Sequence, residues 1–315
     1  MTTVIGIVLP VFALIFVGWL IVRVGLLSQE GLRGLTAYTF YVAFSALLFR
    51  AMREVRLQDL DAGILLAYFG GVAAVWLLAM AIGRLAFGLK PAEQAMMALG
   101  SCFSNGVGLG IPLILATWGH DGLVPLLMII AIHSAILLSL ASVLAEFARG
   151  SAGDRSLWHR LGVSTLAIAR HPVLLAIAAG LAWGAIARQF SLVLPGAAET
   201  GLKWLADSAI PCGLVGLGAS LAGIRLAGDL PQALVMSALK LAALPLAVWV
   251  LARHVIGLEP LWVAVATVNA AMPTGANVYL LAQRYGVYVA RSTSMVLLST
   301  AMSIVTLSVV LAIFA

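Results

Sequence analysis

Two short stretches of this chain hold residues that could do chemistry where none is expected. Ser104–Pro112 reads SNGVGLGIP and Asn269–Asn277 reads NAAMPTGAN, and both lie inside apolar runs. Irregular backbone at membrane depth is tolerated only against protein or a water-filled cavity. A helix broken there frees amide and carbonyl groups for a ligand. The N-terminus of its second half adds partial positive charge suited to an anion. Asn105, Asn269 and Asn277 supply amide donors and acceptors, while Gly106 and Gly275 let a second backbone approach closely. Pro112, Pro273 and Thr274 complete the two interruptions. A pair of kinks that merely ease packing is the plainer alternative. Two breaks in matching positions, each with asparagine, favour a binding site.

Three ionisable residues inside apolar runs add candidates, since charge in lipid is costly and usually functional. His133 could bind a carboxylate or carry a proton; packing alone is the other reading. Asp207, four residues before Pro211, is a second candidate for proton coupling, although its depth also suits a rim or scaffold contact. Lys240 either snorkels to an interface or supplies fixed positive charge to the substrate near the breaks. Glu93 and Glu146 fall at the ends of runs and read as interfacial.

The elements that must position these groups are membrane helices. Of 315 residues 63% are hydrophobic and 10% charged, with a mean hydropathy of +1.11. An ordinary soluble domain carries roughly 25% charged residues. Cutting at charge clusters and turn signals gives ten spans: 4–22, 33–50, 62–87, 92–118, 123–147, 171–190, 200–222, 231–255, 260–283 and 289–313. The first run has no basic residue before it and reads as a retained helix rather than a signal peptide. Eleven Lys and Arg fall in the loops after odd-numbered spans and six in the others. Both termini are therefore expected outside the cytoplasm, in a cytoplasmic (inner) membrane. The net charge of +6 comes from isolated loop cations and makes no nucleic-acid face. Cys102 and Cys212 form no CxxC pair and read as packing residues, so no metal or cofactor is expected. HExxH, GxSxG and paired intramembrane aspartates are all absent from the sequence, which speaks against an enzyme.

The chain divides into 1–147, a polar linker at 148–170 and 171–315. PVFALIFVG (Pro10–Gly18) echoes PVLLAIAAG (Pro172–Gly180), and spans 4 and 9 each hold one of the breaks. Five spans per half is an odd number, so the second half enters the membrane inverted. The expected fold is all-α and integral to the membrane: ten helices in two inverted five-helix repeats, with broken helices 4 and 9 crossed at mid-depth. That is a layout of secondary transporters.

At these residues the sequence resembles the auxin efflux carrier family, which includes plant auxin carriers and bacterial malonate and malate carriers. SNGVGLGIP looks like its span 4 element and NAAMPTGANVYLLAQRYG like its span 9 element. AIPCGLVGLGASLAG, YTFYVAFSALLF and RSTSMVLLSTAMSIVTL resemble its spans 7, 2 and 10. AIHSAILLSLASVLAE leans toward the malonate-carrier branch. The resemblance implies a scaffold of spans 1, 2, 6 and 7, through which a homodimer would form, and an elevator-like transport domain of spans 3–5 and 8–10. It further implies a small organic anion such as malonate bound at the crossing, moved by alternating access with protons as the coupling partner. Potential-driven movement of a monocarboxylate or auxin-like anion is the alternative. Sodium-coupled relatives of the fold carry acidic residues near the crossing; none stands beside Asn105 or Pro273 here, and Lys240 could replace the cation. Two positions depart from the pattern: Ser45 stands where the family usually has proline and Ser104 where the plant carriers have it, which leaves a scaffold bend and the local geometry of the crossing open.

Overall fold

A computed structural model describes residues 2–56, 58, 60–148, 172–223 and 230–314. Apart from Ala148, the linker at 148–170 lies outside the described residues, as do Arg149, Arg155, Arg160, Arg170 and Arg225 of the orientation count.

Among the described residues every regular element is a helix. The first half holds α1 (Thr2–Arg23), α2 (Gln29–Tyr38), α3 (Phe44–Arg53), α4 (Gly63–Leu85), α5 (Pro91–Cys102) and α6 (Ile111–Ala148). The second half holds α7 (Pro172–Phe190), α8 (Gly196–Asp207), α9 (Ala209–Leu221), α10 (Leu230–Ala238), α11 (Leu244–Val250), α12 (Pro260–Ala271), α13 (Asn277–Tyr285) and α14 (Val289–Phe314). Among the described residues eight stretches are long and apolar enough to cross a membrane. Their outward faces carry Leu9, Phe16, Leu66, Leu77 and Val305, all largely exposed, as lipid-facing side chains must be.

The eight differ from the ten expected at spans 4, 5 and 9, and glycine and proline account for the difference. The chain read as span 4 stops being helical after Cys102 and resumes as a π-helical turn, Gly106–Gly110, that runs straight into α6. Gly119, with φ 63°, then breaks α6 into two arms, 111–118 and 120–148. A positive φ of that size is cheap for glycine and strained for other residues. Span 9 is split into α12 and α13, neither long enough alone.

Wide π-helical turns also interrupt the two helices read as spans 2 and 8, at Thr39–Ala43 and Leu239–Ala243. Such turns concentrate near functional sites. The first lies just before Ser45. The Ser45 hydroxyl donates to the Phe40 carbonyl in that turn, 3.1 Å away.

Two hydrophobic clusters share the interior. One joins α4, α5, the second arm of α6 and α10–α13 around Tyr68, Met96, Leu99, Met236, Val248 and Val278. The other joins α1, α3, α7 and α9 to the first arm of α6 through Val11, Phe44, Leu48, Leu214 and Leu113. In the second cluster the helices meet backbone to backbone. A Cβ on Gly18 of α1 would overlap the Val215 carbonyl of α9, and one on Gly218 would overlap the Ile15 carbonyl. Gly180 and Gly184 of α7 face the Phe49 and Arg53 carbonyls of α3 in the same way. Small residues at such contacts are how membrane helices gain close packing without a hydrophobic drive. At the end of α3, Arg188 donates to the Arg53 and Val55 carbonyls, and Glu199 pairs with Arg50 and Arg53.

Candidate functional site

The two broken helices meet at their breaks. The Asn105 amide donates to the Pro273 carbonyl (2.9 Å) and the Gly275 amide to the Phe103 carbonyl (3.2 Å). These bonds form a single antiparallel bridge at Ser104 and Thr274. Each break thus supplies the other with backbone partners that its own helix gave up.

The last carbonyls of α5 and α12 have no intrahelical donors, and the sequence provides them. The Thr274 hydroxyl donates to the Gly100 carbonyl at 3.0 Å, and Lys240 Nζ donates to the Ala270 carbonyl. Lys240 is fully buried, so it does not snorkel. Its amino group sits at the C-terminal end of the α12 half-helix, the end of a helix where a positive charge is favoured. The Thr274 amide reaches Ser299 Oγ at 3.1 Å, which anchors the bridge to α14.

The opposite ends of the breaks face a cavity of about 460 Å³. Asn105, Gly106, Gly108, Gly275 and Asn277 line it from the crossing, with His133 and Ser134 of α6 and Asn269 of α12 beside them. Thr36, Thr39, Phe40 and Phe44 form the far wall with Cys212, Gly213, Gly216 and Ser220 of α9. No Lys, Arg, Asp or Glu is among these lining residues. The positive character comes from backbone: the first turns of the Gly106 and Asn277 half-helices both open here, each worth roughly half a charge. Asn105 Oδ1 caps the first of them by accepting from the Gly108 amide at 3.2 Å, which leaves its Nδ2 as a donor.

His133 is held as a neutral donor. Its Nε2 accepts from the Ser104 amide at 3.2 Å, and a backbone N–H can only donate. Nδ1 therefore carries the hydrogen, and among the described residues that atom has no partner. The rings of Tyr68, Phe69 and Phe103 enclose the imidazole, and the Tyr68 hydroxyl bonds Ser104 Oγ at 2.9 Å. Asn269 Oδ1, against Gly106, is likewise unpaired.

Of the residues singled out from sequence, Asn105, Gly106, His133, Asn269, Gly275 and Asn277 are brought together on the cavity. Pro273, Thr274 and Lys240 build the crossing from behind it, and Pro112 sits buried in the first turn of α6. Asp207 is elsewhere: its exposed carboxylate pairs with Lys203 at 2.6 Å, one turn away on α8. Sequence reasoning missed Ser134, the Tyr68–Ser104 pair and the wall from α2, α3 and α9. Ser134 had a signal in its place next to His133; the wall residues had none, because they face the crossing only in three dimensions.

Broken, mutually paired helices around a cavity, in a chain of apolar spans, describe a membrane transporter. Residues 3–311 match the family described as "Membrane transport protein", and the chain belongs to it. It is also 29% identical over 314 residues to a protein of Rhizobium meliloti (strain 1021) named "Putative malonate transporter", covering 98% of this chain and 95% of that one.

Proposed function

We propose that this chain is a secondary transporter of small carboxylates such as malonate, which bind where the two broken helices cross. The observation that carries the reading is the convergence of two half-helix N-termini and three asparagines on one cavity whose described lining holds no carboxylate to oppose an anion. The name of the Rhizobium meliloti relative supports malonate as the substrate to test.

In this reading α5 with 106–118, the arm 120–148, and α12 with α13 each cross the membrane, which gives ten crossings in two inverted sets of five. The glycine contacts support the inversion. α1 packs on α9 through Gly18, and α7 packs on α3 through Gly180, the residue that answers Gly18 in the sequence echo. Exchanging the halves turns one contact into the other. Spans 1, 2, 6 and 7 form the scaffold, through which two copies pair, and spans 3–5 and 8–10 move past it. The scaffold helices α1, α3, α7 and α9 share one buried cluster, which also takes in parts of α6, α12 and α14. The cavity lies between the two bodies, so sliding one against the other would expose it to either side in turn. Both termini lie outside the cytoplasm in the inner membrane. Lys240 takes the place of a coupling cation at the crossing, which makes sodium unnecessary.

His133 is the proton-coupling residue. A second proton on Nε2 would face the Ser104 amide donor-to-donor, so protonation must disturb the crossing itself. A second reading is potential-driven uniport of a monocarboxylate. It is favoured by the absence of any carboxylate among the lining residues and by the engagement of Asp207 with Lys203.

Uptake of labelled malonate into proteoliposomes, under an imposed pH gradient or an imposed potential, separates the two. Proton coupling predicts uptake that follows the pH gradient and a His133→Gln variant that loses this dependence while still exchanging malonate. Uptake driven by potential alone, unchanged in His133→Gln, would establish uniport. No malonate uptake by folded protein would reject malonate.

A further inference from the structure

The cavity at the crossing continues into a second one of about 480 Å³, with which it shares Val107, Ile130, Ser134 and Asn277. This second space runs between the second arm of α6, α7 and α13. From α13 it is lined by Asn277, Leu280, Leu281 and Arg284. That spacing of 0, 3, 4 and 7 is one face of a helix. Asn277 and Arg284 therefore stand at opposite ends of the same lining stripe, about 10 Å apart along the axis. Across from them α6 contributes Ser134, Ser139 and Ser142.

Arg284 is the one charged residue among the described residues that line either cavity. It is exposed, and no described carboxylate is ion-paired with it. The neighbouring acid, Glu146, receives the Tyr285 hydroxyl at 3.1 Å. A guanidinium matches a carboxylate with two parallel hydrogen bonds. In a cleft with apolar walls its field is focused along the passage.

We propose that Arg284 and the serine-bearing wall of α6 form a vestibule site for carboxylates, a station that an anion occupies before reaching Asn105 and Asn277. The proposal rests on the crossing being the substrate site. The charge at Arg284 raises the local concentration of anion at one mouth of the passage, and the stripe along α13 leads inward from it. A cation in the last turn of a helix also complements its dipole, so the test must separate recruitment from helix capping.

The test is the concentration dependence of labelled malonate uptake into proteoliposomes for the parent protein, Arg284→Gln, Arg284→Lys and Ser139→Asp, at low and high salt, with thermal midpoints. Recruitment predicts that Arg284→Gln raises the half-saturating concentration roughly fivefold, the scale of one part-exposed charge contact. Maximal rate and midpoint stay unchanged, and Arg284→Lys recovers most of the loss. Salt should raise half-saturation in the parent but not in Arg284→Gln, because exposed charges are screened. Ser139→Asp puts a repelling charge on the other wall without touching α13 and should also raise half-saturation; it decides the matter if Arg284→Gln does not fold. Unchanged half-saturation in both variants overturns the vestibule. So does a lowered midpoint and maximal rate in Arg284→Gln with half-saturation intact, which is helix capping. No malonate uptake by the parent overturns the carboxylate reading and the vestibule with it, whereas uptake undiminished in Asn105→Ala overturns the placement at the crossing.

Discussion

Asn105→Asp is expected to fold as well as the parent protein and to transport no measurable malonate. Asn105 does two jobs at once. Its Oδ1 caps the Gly106 half-helix, and its Nδ2 remains as a donor on the cavity. Aspartate is as good an N-cap as asparagine, and a carboxylate at a helix N-terminus gains from the dipole. The thermal midpoint should therefore hold or rise. The cavity, however, exchanges a donor for an anion. Loss of one hydrogen bond to a charged substrate costs about 1.5–3 kcal/mol. Repulsion between two charges some 4 Å apart near a protein surface adds about 4 kcal/mol. Together these lower flux by more than roughly a thousandfold. Asn105→Ala makes the contrast: it loses the cap, about 1 kcal/mol of stability, but adds no repulsion, so flux falls only roughly ten- to a hundredfold. Equal losses in the two variants would show that the capping role, and not the anion site, governs transport.

The second large effect is on the fold. Gly218→Leu is expected to yield no folded protein, because its first side-chain carbon already overlaps the Ile15 carbonyl of α1. Overpacking a tight contact by extra methylenes costs about 1–3 kcal/mol when the neighbours can yield; a helix backbone yields least. Total stability is only about 5–15 kcal/mol. Gly218→Ala should lower the thermal midpoint measurably, and Gly18→Ala should do the same from the other side of the contact. Gly201 of α8 is the control, with nothing within 4 Å of the added carbon. There alanine should raise stability slightly through helix propensity. Size-exclusion profiles and thermal melts in detergent check all four variants.

How much of this was legible in the sequence varies by level. The breaks were legible because glycine, proline and asparagine clustered inside an apolar run weaken a membrane helix wherever they stand. Their pairing, Ser104 against Thr274, was not, since backbone hydrogen bonds between distant segments leave no side-chain code. Lys240 was legible in depth but not in direction; only the structure turns it onto the Ala270 carbonyl. Asp207 was legible in depth but not in partner, for a related reason. A carboxylate near a span end looks alike whether it faces a cavity or, as here, a lysine one turn away on an exposed face. The echo of Gly18 in Gly180 is slight as a string of nine apolar residues and gains meaning because both are backbone contacts. The π-helical turn at Thr39–Ala43 left no trace, because no residue type demands it.

The central claim is that a small carboxylate occupies the cavity at the crossing, and the protein carries its own reporter of occupancy. Cys212 lines that cavity on the α9 side and is part-exposed, whereas Cys102 is buried behind the crossing. The measurement is the rate at which a membrane-permeant maleimide labels Cys212 with and without malonate, with Cys212→Ser as the blank. Malonate should slow labelling, with half-protection at the concentration that gives half-maximal uptake. Chloride at equal ionic strength should have no effect, and protection should vanish in Asn105→Asp. A labelling rate unchanged at malonate concentrations that saturate uptake would place the substrate elsewhere and contradict the account.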